Sequence, residues 1–166
     1  MSNYQLAQLN IARVLAPIDS PTLADFVANL DRINELAESS SGFVWRLKDE
    51  AGDATAIRPF GDDVIVNMSV WQDILALKNY VYYSGHLDVM RRRREWFERM
   101  AEAHMVLWWM PKNHIPTVEE ALQRLDTLRE KGSTQDAFTF REPFEAPDAV
   151  GDADTNLSGA WVDCPA

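Results

Sequence analysis

The chain of 166 residues is long enough for one domain whose core needs neither disulfide nor metal, and its 46% hydrophobic content excludes a disordered protein. Its formal net charge of −10 argues against nonspecific binding to nucleic acid or to an anionic membrane. The only cysteine, Cys164, cannot form an internal disulfide, which fits a reducing compartment. Because the N-terminus shows no signal-peptide pattern and no apolar run reaches the roughly 18 residues of a membrane span, we expect a cytoplasmic protein.

Hydrophobic periodicity predicts strands and helices that alternate along the chain. The β-branched run at 64–66 is typical of a buried strand, whereas Leu23, Phe26 and Leu30 recur at helical spacing after Pro21. In chain order the patterns predict a strand at 4–15, a helix at 21–39, strands at 42–48 and 63–70, a helical region at 71–100 broken at 84–85, a strand at 104–110, a helix at 117–131 and a short strand at 137–144. Residues 145–166 contain five acids and no basic residue, which predicts a disordered acidic tail after a domain at 1–144.

The order of these elements, strand–helix–strand–strand–helix–strand, predicts a ferredoxin-like α+β fold with a four-stranded antiparallel sheet. The strands are apolar on both faces, so the sheet face without helices must also be covered. A homodimer in which two sheets face each other would cover it and would form a barrel with a pocket in each half. The alternative is a monomer in which the helix at 117–131 covers that face.

The pattern N-x-S-x-W on the third strand is the most informative feature of the chain. Side chains alternate across a strand, so Asn67, Ser69 and Trp71 share one face, while Val66 and Val70 share the other. An amide, a hydroxyl and an indole on one face indicate the lining of a small-molecule pocket. The alternative is that the polar groups are buried and bonded to neighbouring backbone.

Ionisable residues on the following helical region are candidates for the same pocket. A neutral His86 could ligate haem iron or move a proton, or it could be a histidine at the edge of the core. Arg93 and Arg94 lie on apolar stripes of the helix, where a buried arginine meets either a carboxylate of its own protein or an acidic ligand. The sequence shows no metal-ligand spacing, phosphate loop or dinucleotide fingerprint, so we expect no metal site.

Five segments resemble a bacterial family known as domain of unknown function 3291. They are AQLNIAR at 7–13, GFVWRL at 42–47, NMSVW at 67–71, SGH at 84–86 and RRRREWF at 91–97. That family is similar to the dimeric α/β-barrel superfamily, which includes antibiotic-biosynthesis monooxygenases and haem-degrading monooxygenases. The resemblance implies the ferredoxin-like fold and the homodimer.

The resemblance also implies roles for particular residues. Cofactor-independent, quinone-forming monooxygenases of that superfamily carry an Asn four residues before a Trp on the third strand, which Asn67 and Trp71 match. Haem-degrading members use an Asn, a Trp and a His that Asn10, Trp71 and His86 match in order.

The sequence therefore predicts a monooxygenase-like enzyme, or a relative of one, that acts without a cofactor on a flat apolar or aromatic small molecule. The alternatives are a haem-binding or haem-degrading protein that uses His86, and a binding module without catalysis. The candidate catalytic residues are Asn67, Trp71 and His86. The candidate substrate-binding residues are Asn10, Trp45, Ser69, Tyr83, Arg93, Arg94 and Trp108.

Overall fold

A computed structural model of the chain describes residues 2–149. Its strands are β1 (Tyr4–Arg13), β2 (Phe43–Arg46), β3 (Val64–Trp71) and β4 (Met105–Pro111), which form one antiparallel sheet in the order β2-β3-β1-β4. Its helices are α1 (Ala24–Ser39), α2 (Ile74–Tyr83), α3 (His86–Arg91) and α4 (Val118–Lys131), with 3-10 turns at Pro21–Leu23 and Arg93–Glu95. This is a ferredoxin-like α+β fold, as the sequence predicted.

Residues 150–166, which include Cys164 and most of the predicted acidic tail, lie outside the described residues. The first residues of that predicted tail contact the domain. The Asp148 carboxylate accepts a hydrogen bond from the Ser2 hydroxyl at 2.7 Å, and the Glu145 carbonyl accepts one from Gln135 Nε2 at 2.9 Å. Within residues 2–149, no helix is both long and apolar enough to cross a membrane.

Helices cover both faces of the sheet. On one face, Ala121, Leu125 and Leu128 of α4 are buried against an apolar surface formed by the three longer strands. The strand residues of that surface are Ala7, Leu9, Ile11, Val64, Val66, Met68, Val70, Val106, Trp108 and Met110. The other face lies under α1, α2 and α3. Burying a large apolar side chain stabilises a fold by about 1.5–3 kcal/mol, so α4 is a substantial part of the core.

The position of α4 answers a question that the sequence left open. α4 covers the β1–β4 side of the sheet face that would otherwise need a partner, and Ala54, Ile57 and Phe60 of the segment after β2 pack against the same core. Thr117 caps the first turn of α4 by accepting a hydrogen bond from the Glu120 backbone N–H at 3.1 Å. A dimer formed through the sheet faces would have to displace this helix. The open face from which a homodimer was predicted is therefore not open in this chain.

Two predicted elements differ from the structure. The segment 137–144 is not a strand, because only Phe138 pairs with β4, through two backbone hydrogen bonds to Leu107. The neighbouring Phe140 turns into the core instead, and Pro143 has no N–H to donate. The helical region predicted to reach residue 100 ends at Glu95, since the chain next runs beside the end of β1, where Phe97 bridges to Val14.

Candidate functional site

A cavity of about 200 Å³ lies between the sheet and helices α1, α2 and α3. Its floor is polar because alternate positions of the two central strands carry amide and hydroxyl groups: Gln8 and Asn10 on β1, Asn67 and Ser69 on β3. In the β1–β3 register Asn10 is opposite Asn67 and Gln8 is opposite Ser69, so the four side chains form one patch. Its apolar walls include Phe26, Leu30, Ile33, Val89, Met90 and Phe97.

Hydrogen bonds hold the floor in a defined orientation. Gln8 Nε2 donates to Asn67 Oδ1 at 2.7 Å and to Ser69 Oγ at 3.1 Å, and Trp71 Nε1 donates to the same Ser69 Oγ at 2.8 Å. Gln8 and Ser69 are buried, whereas Asn67 is exposed within the cavity. With its oxygen bonded to Gln8, Asn67 keeps its Nδ2 hydrogens available to a ligand.

His86 enters the cavity at a break between helices. Ser84 ends α2 and its hydroxyl accepts a hydrogen bond from the His86 backbone N–H at 3.2 Å, which starts α3 in a new direction. The His86 Nδ1 atom is buried and has no hydrogen-bond partner within the described part of the chain. Burial lowers the pKa of His86, an effect that hydrogen bonding to the Val81 backbone opposes. His86 is therefore neutral at pH 7, with a nitrogen that lacks a partner.

An aromatic stack connects His86 to the sheet. The Tyr80 ring lies between the rings of His86, at a centroid distance of 4.8 Å, and Trp71, at 5.0 Å. Burial raises the pKa of Tyr80 well above its usual range, and the nearby Arg46 charge opposes that shift only in part. Trp71 is completely buried and does not line the cavity. Its contribution is to support Tyr80 and to bond Ser69.

Two arginines line the cavity, and they differ in their partners. Arg46 Nε binds the Glu38 carboxylate at 2.9 Å. Arg93 is half-buried and forms no ion pair with any residue between 2 and 149. Among the described residues 2–149, the one carboxylate that lines the cavity is that of Asp53, in the loop after β2, and its Oδ1 accepts a hydrogen bond from the Thr55 backbone N–H at 2.7 Å.

Because His86 is buried and neutral, the stability of the fold should depend on pH. The unfolded chain binds a proton near pH 6.5, whereas burial keeps His86 neutral to lower pH in the folded state. Stability is therefore fully present above pH 6.5 and falls as the pH decreases towards the folded-state pKa. We expect the urea midpoint of the parent protein to be lower at pH 5.5 than at pH 7.5, and this difference to shrink in His86→Gln. An unchanged difference in His86→Gln would contradict the assignment.

The structure brings half of the candidate residues together. The cavity is lined by Asn10, Asn67, Ser69, His86 and Arg93. Of the three candidate catalytic residues, which were expected in one cavity between the sheet and the helical region that follows β3, Asn67 and His86 line that cavity and Trp71 does not.

The other candidates lie elsewhere. Trp45 and Trp108 are on the opposite face of the sheet, where they pack in the cluster that contains α4, and Trp108 Nε1 donates to Glu120 Oε1 at 3.0 Å. The predicted contact of these two indoles with a substrate in this cavity is therefore wrong. Tyr83 is 76% exposed at the end of α2, and Arg94 is exposed outside the cavity lining.

Sequence analysis missed several polar residues of the cavity, among them Gln8, Arg46 and Tyr80. Gln8 could have been identified from the sequence, because Gln8 and Asn10 alternate with apolar residues on β1 as Asn67 and Ser69 do on β3. The other two gave no local signal, since their positions depend on how β2 and α2 pack. Among residues 2–149, no group of three or more His, Cys, Asp or Glu side chains could hold a metal ion.

Comparisons with known proteins identify the family of the chain. The model of the family described as "Domain of unknown function (DUF3291)" matches residues 5–154. Among solved structures the chain is similar to SnoaB, a cofactor-independent oxygenase from Streptomyces nogalater, with 18% identity over 70% of this chain and 98% of that chain and a TM-score of 0.42. It is also similar to PA3566 from Pseudomonas aeruginosa, with 13% identity over 69% of this chain and 98% of that chain and a TM-score of 0.45. No curated protein matches the chain. At these identities no activity is transferred.

Proposed function

The chain belongs to the family of domain of unknown function 3291, and within that family we propose that it is a monooxygenase-like enzyme acting on a small aromatic molecule in the cavity above β3. One observation carries the proposal: an amide donor, Asn67, and an unpartnered neutral imidazole, His86, line the same partly apolar cavity. A donor that stabilises an oxyanion and a base that removes a proton are what the activation of a phenol requires.

The proposed chemistry uses the residues in two roles. His86 accepts the hydroxyl proton of a bound phenol, and Asn67 Nδ2 donates a hydrogen bond to the phenolate oxygen that forms. The electron-rich phenolate then reduces O2. One oxygen atom bonds to a ring carbon ortho or para to the hydroxyl, and the other leaves as water with the hydroxyl proton and the hydrogen of that carbon. One phenol and one O2 thus give one quinone and one water.

The volume of the cavity limits the size of the substrate. A dry protein cavity of about 150 Å³ takes up benzene, so the cavity of about 200 Å³ suits one substituted ring. The flat aromatic substrate predicted from the sequence is therefore proposed to be monocyclic.

Oxygen consumption tests this proposal directly. Purified protein is supplied with monocyclic phenols and hydroquinones in an oxygen electrode, with quinone formation followed by absorbance. The proposal expects protein-dependent oxygen uptake that matches quinone in a 1:1 ratio. Tight binding of these compounds without uptake would instead support the third interpretation, a binding module without catalysis.

Haem binding through His86 fits the cavity poorly. A neutral imidazole with a free nitrogen suits an iron ligand, but about 200 Å³ is below the roughly 300–1,000 Å³ of pockets for drug-sized ligands, and the haem macrocycle needs more space. We expect micromolar hemin to give no sharp Soret shift with the purified protein. A shift that His86→Ala abolishes would contradict this expectation.

The cavity is lined by residues of one chain, and the homodimer predicted from the sequence stays a prediction. Light scattering would compare the mass in solution with the 18.9 kDa of one chain.

A further inference from the structure

The polar floor of the cavity has hydrogen-bond donors that are free to contact a ligand. Gln8 uses both Nε2 hydrogens, one on Asn67 Oδ1 and one on Ser69 Oγ. Ser69 Oγ accepts from both Gln8 and Trp71, which occupies its two lone pairs, so its own O–H proton has to point to a different acceptor. Asn67 Nδ2 adds two further hydrogens. A ligand that accepts hydrogen bonds from this floor therefore needs oxygen atoms with free lone pairs.

Arg93 adds a positive charge that the described part of the chain does not neutralise. The two preceding arginines form ion pairs, Arg91 with Asp88 at 3.6 Å and Arg92 with Asp25 and Glu95 at 2.8 and 2.7 Å. Arg93 lines the cavity without such a partner between residues 2 and 149. A half-buried guanidinium is costly to leave unpaired, so its position favours an anionic ligand.

Two carboxylates of the surroundings, Glu102 and Asp53, do not neutralise Arg93. Glu102, two residues before His104, pairs with Arg129 at 3.6 Å, and His104 has its pKa lowered mainly by burial and in part by the Arg93 charge. Asp53 lies in the loop that follows the edge strand β2 and binds the Thr55 backbone. Neither carboxylate forms an ion pair with Arg93.

The register of the sheet separates Arg93 from the aromatic stack. The Phe97 backbone N–H donates to the Arg93 carbonyl at 2.9 Å, and Phe97 packs in a cluster with Ile65, at the opposite end of β3 from Trp71. Asn67 is one same-face position from Ile65, a distance of about 7 Å along a strand. The Arg93 backbone is thus near the Ile65 end of β3, whereas the stack that ends at His86 includes Trp71 at the other end of that strand.

We infer that the ligand of this cavity is a monocyclic aromatic acid that carries a phenolic hydroxyl. Its carboxylate pairs with Arg93, its ring packs on the apolar wall and its hydroxyl accepts a hydrogen bond from Asn67. The role of the hydroxyl rests on the proposed function, whereas the pairing of the carboxylate with Arg93 does not.

Binding of three probe compounds tests this inference. Titration calorimetry compares 4-hydroxybenzoate, benzoate and phenol with the parent protein, with Arg93→Gln and with the control Arg91→Gln, whose parent side chain is exposed and paired with Asp88. We expect Arg93→Gln to weaken binding of the two acids by about ten- to a hundredfold, the effect of losing a hydrogen bond to a charged group, and to leave phenol unchanged. Arg91→Gln should bind all three as the parent does, and Arg93→Lys should restore part of the affinity.

Each other outcome overturns the inference. Undiminished acid binding by a folded Arg93→Gln, an equal loss for phenol, or no binding of either acid at millimolar concentration would exclude it. The proposed function fails separately. Binding of 4-hydroxybenzoate that depends on Arg93 but gives no oxygen uptake would remove the monooxygenase proposal and keep the acid site. Oxygen uptake with 4-hydroxybenzoate that is insensitive to Arg93→Gln would remove the acid site and keep the monooxygenase proposal.

Discussion

Replacing Asn67 with alanine is expected to lower the rate of oxygen consumption with a monocyclic phenol by about 100- to 1,000-fold, the effect of removing one oxyanion-stabilising donor. The loss should appear mainly in kcat, because the hydrogen bond from Nδ2 is strongest when the oxygen is fully charged. Stability should change little, because Asn67 is exposed and Gln8 keeps its bond to Ser69 after the substitution.

Two control variants separate this effect from general damage to the protein. Asn79→Ala changes an exposed asparagine on α2 and should leave turnover at the parent level. Gln8→Leu leaves Asn67 in place but removes the donor that orients its amide, so it should cause a smaller loss of kcat. Turnover by Asn67→Ala within a factor of three of the parent rate would exclude Asn67 as the oxyanion donor.

Replacing Trp71 with alanine is expected to destabilise the fold by about 3–5 kcal/mol, the range for truncating a buried aromatic side chain. Trp71 is completely buried and contacts Phe43 edge to face at 5.4 Å and Tyr80 by stacking at 5.0 Å. Removing it opens a hole under Tyr80 and leaves Ser69 without one of its donors. Urea denaturation followed by circular dichroism measures the loss, because the substitution changes the fluorescence signal.

Trp71→Phe distinguishes a structural role from the catalytic role predicted from the sequence. The phenyl ring keeps most of the stacking surface for Tyr80 but cannot donate to Ser69. We expect a cost of about 1–3 kcal/mol, from the lost hydrogen bond and the smaller volume, and a kcat near that of the parent. A kcat reduced by two orders of magnitude in a stably folded Trp71→Phe would show that the indole takes part in the reaction.

The fold could be predicted because its signals are local. The alternation on β3, the helical spacing that follows Pro21 and the Thr117 cap each depend on a few neighbouring residues, and each corresponds to an element of the structure. The segment at 137–144 shows that a local pattern is not always sufficient to predict an element. Its pattern suits a strand, but whether it joins the edge of β4 depends on the path of the chain after α4, and only Phe138 pairs.

The candidate site could be predicted in part. Alternation placed Asn67 and Ser69 on one face of β3, and chain order placed His86 at the start of the helix beyond it. The positions of Trp45 and Trp108 were not predicted correctly. Alternation shows which residues of one strand share a face, but it does not show on which side of the sheet that face lies. The register of β2 with β3 and of β1 with β4 decides that, and it assigns both indoles to the α4 side.

By itself the sequence determined the elements, their order and the polar face of β3, since these follow from periodicities of two and 3.6 residues along a short stretch of chain. The tertiary structure decided which side chains meet: the contact of Gln8 with Asn67, the unpaired state of Arg93 among the described residues and the covering of the open sheet face by α4. These contacts join residues that are far apart in the chain. Strand register and helix docking set them through the burial of apolar surface, which is not directional and leaves no local pattern in the sequence.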